Sequence, residues 1–246
     1  MEAKKIIITG SATRIGAAIA KSLANYNTQI TLHYNKSTSE VKKLKFHLEN
    51  LGSKVFLIKA DLSKIIQTKK IIPFAYKMMK GLDCLVNNAS IFEKDDLINF
   101  TEKSFNKHMA VNLHSPAVLT QSFKNYVKLR KGNIINIIDQ RIFKLTPFFF
   151  SYTLSKTGLQ TLTKTSAMKL APNIRVNGIA PGPTIKNKRQ SERHFKKQWK
   201  SLILEKKVSP ENICATIKYL IKNDNITGQV ISVDGGQSLA WKTPDI

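Results

Sequence analysis

Two side chains with the types and spacing of a proton-donating pair, Tyr152 and Lys156, lie four residues apart. On a helix, residues at this spacing project from one face, so the ammonium group can approach the phenol. A neighbouring positive charge favours the ionised phenol and lowers its pKa from about 10. The pair therefore predicts a proton donor that works near neutral pH.

A carboxylate, Asp139, lies thirteen residues before Tyr152. During ketone reduction an ionised carboxylate would repel the negative charge that develops on oxygen, and it would raise the tyrosine pKa. A carboxylate accepts hydrogen bonds from N–H groups and can pass protons to nitrogen, which suits reduction of a C=N bond. Asp139 thus disfavours ketone reduction. The other interpretation is that it caps a turn and points away.

Seven short apolar runs alternate with amphipathic stretches and are the candidates for the strands that position these residues. The runs are KKIIIT, QITLHY, KVFLIKA, LDCLVN, GNIINII, IRVNGIA and QVISVD. This alternation predicts an α/β fold, a single-domain Rossmann-type doubly wound parallel sheet over residues 1–246 with helices on both faces. Ligands bind outside the carboxyl ends of such strands, so functional residues are expected after Thr9, Tyr34, Ala60, Asn87, Ile138 and Ala180.

The sequence TGSATRIG follows the first strand and opens the first helix. A dinucleotide pyrophosphate meets exposed backbone N–H groups and the positive helix end at such a position. Gly10 permits a tight turn and Gly16 permits close packing of helix on sheet. The loop therefore predicts a dinucleotide cofactor.

The identity of that cofactor follows from the end of the second strand, where an NAD site places Asp or Glu to bind the adenosine ribose. This chain has no carboxylate there, and Lys36, Ser37 and Arg14 are available as donors for a 2′-phosphate. NADPH is therefore favoured, unless Lys36 is an ordinary loop lysine. Asp61 is placed to bind the adenine amino group or to cap the next helix. The predicted cofactor-binding residues are Gly10, Thr13, Arg14, Ile15, Gly16, His33, Tyr34, Asn35, Lys36, Ser37, Asp61, Leu62, Asn88, Ala89, Ser90, Tyr152, Lys156, Pro181 and Gly182.

From Lys4 to about Ala240 the chain resembles the short-chain dehydrogenase/reductase family. The motifs that carry the resemblance are TGSATRIG, ADL, NNAS, MAVNLHSP, YTLSK, RVNGIAPG and TGQVISVDGG, in that family's order. The resemblance implies that Tyr152 is the general acid, that Lys156 binds the ribose, and that Asn112 anchors a proton-relay water. It also implies a homotetramer.

Two positions depart from the family pattern: Arg14 replaces the usual middle glycine of the loop, and Asp139 replaces the usual serine. Both departures are similar to those in pteridine reductases and in the dihydromonapterin and dihydrofolate reductases of bacteria. That resemblance implies that Arg14 contacts phosphate near the pterin, while Phe92 and the nicotinamide sandwich the pterin ring. The implied substrate-binding residues are Arg14, Ser90, Phe92, Asp139 and Tyr152, and the catalytic residues are Asp139, Tyr152, Lys156 and Asn112.

The predicted activity is the NADPH-dependent reduction of a C=N bond in a pteridine of dihydrobiopterin, dihydromonapterin or dihydrofolate type. The main alternative is a 3-oxoacyl-[acyl-carrier-protein] reductase or another NADPH-dependent carbonyl reductase. A more distant alternative is a non-catalytic protein that binds nucleotides or nucleic acid.

The composition limits location and partners. The chain has 246 residues and a net charge of +24, which attracts nucleic acid or acidic substrates. The cations are spread along the chain beside frequent Asn and Ile, as composition bias produces, so nucleic-acid binding is disfavoured.

No apolar run approaches the ~20 residues of a membrane span, and no signal peptide is recognisable, so a cytoplasmic location is expected. Cys84 and Cys214 are expected to be buried, reduced thiols, and no metal site is expected.

A basic segment, residues 183–200, breaks the pattern of strands and helices. It follows Pro181-Gly182-Pro183, has few apolar residues and precedes the next predicted helix, at about Pro210 to Ile221. We interpret it as a mobile lid over the active site; the alternative is an ordinary solvated helix or loop. His194, Phe195 and Trp199 are its candidate substrate neighbours, and its cations could meet a folate glutamate tail.

Overall fold

The computed structural model describes residues 4–127, 131–186 and 190–240, and a parallel sheet of seven strands forms its centre. The strands follow the order β3-β2-β1-β4-β5-β6-β7, and every neighbouring pair is parallel. They are β1 Lys5–Ile8, β2 Gln29–Tyr34, β3 Lys54–Lys59, β4 Cys84–Asn87, β5 Gly132–Ile137, β6 Ile174–Pro181 and β7 Val230–Val233. Six lie entirely in the predicted runs, β6 extends one residue beyond its run to Pro181, and the doubly wound fold is confirmed.

Helices cover both faces of this sheet. They are α1 Arg14–Leu23, α2 Thr38–Asn50, α3 Ile65–Thr68, α4 Ile71–Met79, α5 Glu102–Met109, α6 Ser115–Val127, α7 Phe150–Leu170, α8 Glu192–Lys200 and α9 Pro210–Lys222. Helices α1, α2 and α9 pack in the core of one face, and α4, α6 and α7 in that of the other. Alternate residues of β1 divide between the two cores: Ile6 and Ile8 join one, and Ile7 joins the other. Burial on both faces explains the continuous apolar runs.

A chain of buried polar side chains fixes the sheet against α7, the helix that carries the Tyr-Lys pair. Asn87 at the end of β4 donates to Asn136 of β5 at 2.8 Å, and Asn136 donates to Thr163 of α7 at 2.8 Å. All three side chains are at most 3% exposed, so a break in this chain leaves buried polar groups unpaired. The chain thereby holds α7 in one position relative to the strand ends.

The basic segment contains a helix, α8, which agrees with the alternative interpretation of an ordinary helix or loop. Helix α8 begins after Ser191, whose side chain accepts from the backbone N–H of His194. Phe195 is buried and Trp199, four residues on, packs against the core. Two apolar residues at this spacing are a weak signal among so many cations. Residues 187–189 of the predicted lid lie outside the described residues, and its mobility stays a prediction.

Cys84 and Cys214 are buried free thiols, as expected. Of the helices in the described ranges, none combines the length and apolar character needed to cross a membrane.

Candidate active site

A cavity of about 580 Å³ opens at the carboxyl ends of the strands, where the strand order reverses between β1 and β4. Most predicted site residues line it: Gly10, Thr13, Arg14, Ile15, Gly16, His33, Asn35, Lys36, Asp61, Leu62, Asn88, Ala89, Ser90, Phe92, Asp139, Tyr152, Lys156, Pro181 and Gly182. Three others do not. Tyr34 packs against the hydrophobic core, Ser37 precedes α2, and Asn112 lies buried behind the wall.

The loop between β1 and α1 is packed so closely that glycine is required at two positions. Gly10 has φ +61°, and a Cβ there would lie 2.8 Å from the Cα of Ala89. A Cβ on Gly16 would lie 2.2 Å from the carbonyl oxygen of Gly10 and 2.6 Å from the amide nitrogen of Asn88. That amide donates to the carbonyls of Thr9 and Gly10 at 2.9 and 3.0 Å. The loop is thus fixed to Asn88, the residue that follows β4, and its helix end lines the cavity without a side-chain cap from the described residues.

Arg14 has an unusual backbone and an unexpected set of partners. Its φ is +55°, a left-handed conformation that explains why glycine usually occupies this position. The guanidinium donates to the carbonyls of Ile185 and Lys186, both at 2.9 Å, and burial lowers its pKa. Arg14 therefore joins the loop to the segment after β6. The phosphate contact implied by the resemblance stays a prediction.

His33 fixes the same loop from the end of β2. The backbone N–H of Gly10 donates to Nδ1 at 3.1 Å, and Nε2 lies 3.0 Å from the carbonyl oxygen of Ala60. These contacts require a neutral ring that carries its proton on Nε2. Burial lowers the pKa of His33 to about 4. His33 lines the cavity, but both of its ring nitrogens are already engaged, one by the backbone of Gly10 and the other by that of Ala60.

This buried histidine predicts a loss of stability in acid. Between pH 6.5 and 4 the unfolded chain binds a proton that folded His33 does not, so the free energy of unfolding falls by about 3 kcal/mol as the pH is lowered. His33→Gln is expected to flatten this dependence in urea titrations across that range. His47→Gln, an exposed control on α2, should keep the wild-type slope. An unchanged slope in His33→Gln would contradict the assignment.

Residues that follow β2 and β3 add a cation, Lys36, and a carboxylate, Asp61, to the cavity wall. Asn35 and Lys36 follow β2 and line it. Asp61 accepts at Oδ1 from the N–H and hydroxyl of Ser63, at 3.0 and 2.7 Å, and these bonds lower its pKa. Asp61 is therefore ionised and caps a turn while still lining the cavity.

The chemical centre of the cavity is a pair formed by Asp139 and Tyr152. The phenol donates to Oδ2 of Asp139 at 2.9 Å. The other oxygen, Oδ1, accepts from the backbone N–H of Arg141 at 2.9 Å and caps the 3₁₀ turn Gln140–Ile142. Asp139 thus caps a turn, as one interpretation predicted, but it does not point away, because its second oxygen accepts from Tyr152. Its role in the reaction stays a prediction.

The electrostatics of this pair differ from part of the sequence prediction. Burial raises the pKa of Asp139, and burial followed by the neighbouring carboxylate raises the pKa of Tyr152 well above its ordinary value. The predicted effect of Asp139 on the tyrosine is confirmed. The prediction that Lys156 brings the phenol pKa below its ordinary value is wrong for this structure, because burial and Asp139 raise that pKa and the opposing contributions come from Arg141 and Ser90. The phenol therefore keeps its proton here.

Lys156 is buried beside the pair. Its Nζ donates to the carbonyl oxygen of Ile137 at 2.8 Å and lies 5.7 Å from the ring centroid of Tyr152. Burial lowers its pKa to about 8, and Asp139 opposes that shift. The ammonium is thus held at the end of β5, on the cavity wall.

Asn112 links the residues that follow β4 to α7. It lies in a π-helical turn, Ala110–His114, between α5 and α6. Its Oδ1 accepts from the N–H of Ile91 and the hydroxyl of Ser90 at 2.9 and 3.1 Å. Its Nδ2 donates to the carbonyl of Ile91 and the hydroxyl of Ser155 at 3.1 and 3.0 Å. Because the amide is fully engaged, a relay water at Asn112 would have to contact its main chain.

An aromatic platform stands beside the Tyr-Asp pair. Phe149 stacks on Phe92 with ring centroids 4.3 Å apart and an interplanar angle of 5°, so one face of Phe92 is covered. Tyr152 meets Phe92 edge to face at 4.7 Å. The guanidinium carbon of Arg141 lies 4.5 Å from the centroid of Phe149. We call the stacked pair of Phe92 and Phe149 the aromatic platform; Tyr152 packs against its Phe92 ring and Arg141 against its Phe149 ring.

Several residues of the site were not identified from the sequence. Residues 148–150 are three consecutive phenylalanines, of which Phe149 stacks on Phe92 and Phe150 packs on Phe100 and Phe105. Arg141 had one usable signal, its place two residues after Asp139. The segment predicted as a lid, residues 183–200, contributes six residues to the wall: Pro183, Thr184, Ile185, Gln190, Phe195 and Gln198. Other lining residues become neighbours only through the fold: Ser63, Ile91, Lys107, Val111, Ile137, Ile138, Gln140 and Gln237.

Comparison with known proteins agrees with this geometry. A family model described as short chain dehydrogenase matches residues 4–197. The chain is similar to the crystal structure of FolM alternative dihydrofolate reductase 1 from Brucella suis in complex with NADP, at 38% identity and a TM-score of 0.95, over 99% of this chain and 98% of that one. The corresponding Brucella canis structure with NADP has 38% identity, a TM-score of 0.91 and coverage of 98% and 96%.

A relative found by sequence has a name that refers to a different substrate from that of the two Brucella structures. The 3-oxoacyl-[acyl-carrier-protein] reductase FabG of Buchnera aphidicola subsp. Baizongia pistaciae is 32% identical over 240 residues, which cover 95% of this chain and 97% of that protein. The homotetramer implied by the resemblance stays a prediction. The family match and this nearly full-length similarity together show that the chain belongs to the short-chain dehydrogenase family of oxidoreductases.

Proposed function

We propose that this protein reduces a C=N bond of a pteridine with NADPH and forms the tetrahydro product. The observation that carries the proposal is the Asp139 carboxyl group, hydrogen-bonded to the Tyr152 phenol at 2.9 Å on the cavity wall. A ketone reducer needs neutral donors where negative charge develops on oxygen. A carboxyl group suits a ring that presents N–H groups and a nitrogen that must gain a proton.

The residues around the cavity fit NADPH. The Gly10 loop permits close approach of a pyrophosphate, and the α1 terminus supplies N–H donors and a positive dipole end. Lys36 and Asn35 offer donors to a 2′-phosphate where an NAD site has an acid. When bound, the nicotinamide supplies a hydride to the substrate.

The Asp139–Tyr152 pair supplies the proton. Both pKa values are raised, so both groups favour their protonated forms more than ordinary carboxyl and phenol groups do. The proton passes to the ring nitrogen beside the carbon that receives hydride, and solvent then reprotonates the pair. Lys156, held by the Ile137 carbonyl, places a positive charge beside Asp139 and offsets the negative charge that proton transfer leaves there.

Phe92 orients the substrate ring. One of its faces is covered by Phe149, so a flat heterocycle can stack only on the other. Ser90, which donates to Asn112, also contacts Tyr152 and lies at the edge of the cavity. We propose that Ser90 and Asp139 bind the pterin edge while Phe92 supports its face.

The similarities support this substrate class but leave a competitor. Identity to the Brucella suis FolM structure is 38%, against 32% for the Buchnera FabG protein. The FabG similarity makes a 3-oxoacyl thioester the second candidate substrate. Asp139 argues against that ketone, because after it gives up its proton its negative charge would repel the alkoxide that a ketone forms, whereas a ring nitrogen gains the proton.

An assay of purified protein separates the two candidates. NADPH oxidation is followed with dihydrobiopterin, dihydrofolate and acetoacetyl thioester in parallel, and the products are identified by chromatography. We expect turnover of at least one dihydropterin and formation of its tetrahydro product. Turnover of the thioester alone would refute the proposal.

The cofactor preference predicts a selective effect of Lys36→Gln. Loss of one charge-assisted hydrogen bond to a phosphate should raise the KM for NADPH about tenfold and leave the KM for NADH within about twofold. Lys42→Gln, on the exposed side of α2, removes the same charge and should change neither constant. An equal rise in both constants would contradict the phosphate role of Lys36.

A further inference from the structure

The helix that carries Tyr152 and Lys156 begins without a cap of its own. Phe149 is the N-cap residue of α7, it makes no side-chain cap, and the first turn contains no acidic side chain. An N-cap side chain normally accepts a hydrogen bond from the second or third backbone N–H of its helix, which a phenylalanine cannot do. The start of α7 therefore needs an acceptor from elsewhere in the chain.

Asp95, in the loop between β4 and α5, supplies that acceptor. Its Oδ1 accepts from the backbone N–H of Ser151, the second residue of α7, at 3.2 Å. Its main-chain carbonyl accepts from the N–H of Phe149 at 2.7 Å. Asp95 and Ser151 are 56 positions apart, so no local sequence pattern indicates this contact.

The surroundings of Asp95 leave the start of α7 as the partner of its carboxylate. Asp95 is only 6% exposed, and Ser151 is fully buried. Within the described ranges, Oδ2 of Asp95 has no hydrogen-bond partner and no cation lies within 4.0 Å of the carboxylate. A buried carboxylate is unfavourable unless positive charge compensates it, and the N-terminal end of a helix dipole supplies such charge.

The residue between these two hydrogen bonds has a strained backbone. Phe149 has φ +63° and ψ 43°, the left-handed conformation that is unfavourable for a residue with a Cβ. Such a conformation persists only where the surrounding structure determines it. The contacts with Asp95 fix the N–H of Phe149 and the N–H of Ser151, and so they define the backbone between them.

Phe149 in turn supports the ring that faces the active site. Its ring stacks on Phe92 with centroids 4.3 Å apart. Of these residues, Phe92 lines the active-site cavity, whereas Asp95 and Phe149 lie behind it. Asp95 also follows Phe92 by three residues, so it joins both members of the aromatic platform. The open face of Phe92 is thus set by contacts made outside the cavity.

We propose that Asp95 is a positioning residue, which holds Phe149 in its left-handed conformation and thereby orients the aromatic platform for the substrate ring. The use of the platform by a flat ring rests on the proposed function. The contact between Asp95 and the start of α7 does not depend on it.

Two substitutions separate the hydrogen bond of Asp95 from its bulk. Asp95→Ala removes the acceptor, and Asp95→Asn keeps an oxygen that can accept from Ser151. With alanine, the KM for a dihydropterin is expected to rise about tenfold, while kcat stays within about threefold and the Kd for NADPH within about twofold of wild type. Asparagine should return the KM to within about threefold of wild type.

Asn212→Ala is the matched control. It removes a side-chain acceptor from the N–H of Ser209, at the start of α9 on the other face of the sheet. This loss should lower the midpoint of thermal unfolding and leave the KM for dihydropterin unchanged. An unchanged KM in Asp95→Ala, or an equal rise in its KM for dihydropterin and its Kd for NADPH, would overturn the proposal.

A double-mutant cycle tests whether Asp95 acts through Phe149. Glycine adopts the left-handed conformation without strain and has no ring, so Phe149→Gly should raise the KM for dihydropterin about as much as Asp95→Ala does. Adding Asp95→Ala to Phe149→Gly should then change the KM by less than about twofold. A rise equal to the product of the two single effects, about a hundredfold, would show that the two residues act independently and would overturn the proposal.

Amide hydrogen exchange separates failure of this inference from failure of the proposed reaction, because it needs no substrate. Exchange over residues 146–155 is followed by mass spectrometry in the NADPH complex. It is expected to be about tenfold faster in Asp95→Ala and to return to within about threefold of wild type in Asp95→Asn. That result supports the role of Asp95 even if no pterin is reduced. Unchanged exchange in Asp95→Ala would overturn that role and leave the reaction intact.

Discussion

Replacing Tyr152 with phenylalanine is expected to lower kcat for dihydropterin reduction by about 10²–10⁴-fold, the contribution of a positioned acid. The phenol is the group that meets Asp139 at 2.9 Å, and its raised pKa keeps it protonated. Phenylalanine retains the ring that packs edge to face on Phe92. The substrate platform should therefore survive the change.

Cofactor binding is the control within the same variant. The Kd of Tyr152→Phe for NADPH, measured by fluorescence titration, should stay within about threefold of wild type, because one hydrogen bond to the cofactor is a small part of its binding. Tyr126→Phe removes a hydroxyl from α6, where Tyr126 packs on Tyr76, and should leave kcat unchanged. A kcat within about threefold of wild type in Tyr152→Phe would show that the phenol is not the acid.

Replacing Asp139 with serine is expected to lower kcat/KM for dihydropterins by about 10²-fold. Serine restores the neutral donor that ketone reduction favours, so the rate with acetoacetyl thioester should stay equal or rise. Asp139→Asn is the matched variant, because its amide oxygen can still accept from the N–H of Arg141 and cap the turn. If asparagine retains the fold but loses the activity, the carboxyl group is required for chemistry. Unchanged pterin kinetics in both variants would refute the role of Asp139.

The pH dependence of kcat/KM is an independent test of the Asp139 carboxyl group. Its pKa is raised by burial, so the proton-bearing form persists above the usual range for aspartate. A group that must carry a proton loses activity as the pH rises through its pKa. The wild-type kcat/KM should therefore fall with rising pH, and this limb should be absent in Asp139→Ser. The same limb in both proteins would assign it to another group.

Much of this site was predictable because parallel sheets place strand ends together. The β-branched runs identified all seven strands, and residues after β1, β2, β3, β4 and β5 meet in the cavity. The departure of Arg14 from glycine was visible in the sequence. Its clamp on the carbonyls of residues 185 and 186 was not, because those partners lie about 170 positions away.

The electrostatic balance also required the fold. Helical spacing correctly brought Lys156 to the side of Tyr152, but the ammonium donates to the Ile137 carbonyl. Burial then dominates the pKa of the phenol. The cover that Phe149 provides for Phe92 depends on a left-handed residue, φ +63°, before α7, and no local sequence rule predicts that conformation for phenylalanine.

Transfer of a labelled hydride from NADPH tests directly whether this protein reduces a pterin C=N bond. Purified protein is given dihydrofolate, acetoacetyl thioester and NADPH deuterated at the transferable position of its nicotinamide, and the products are examined by NMR. We expect one deuterium on a ring carbon of the tetrahydropterin beside the newly protonated nitrogen, with little label in the thioester product. Deuterium found only in a 3-hydroxyacyl product would contradict it.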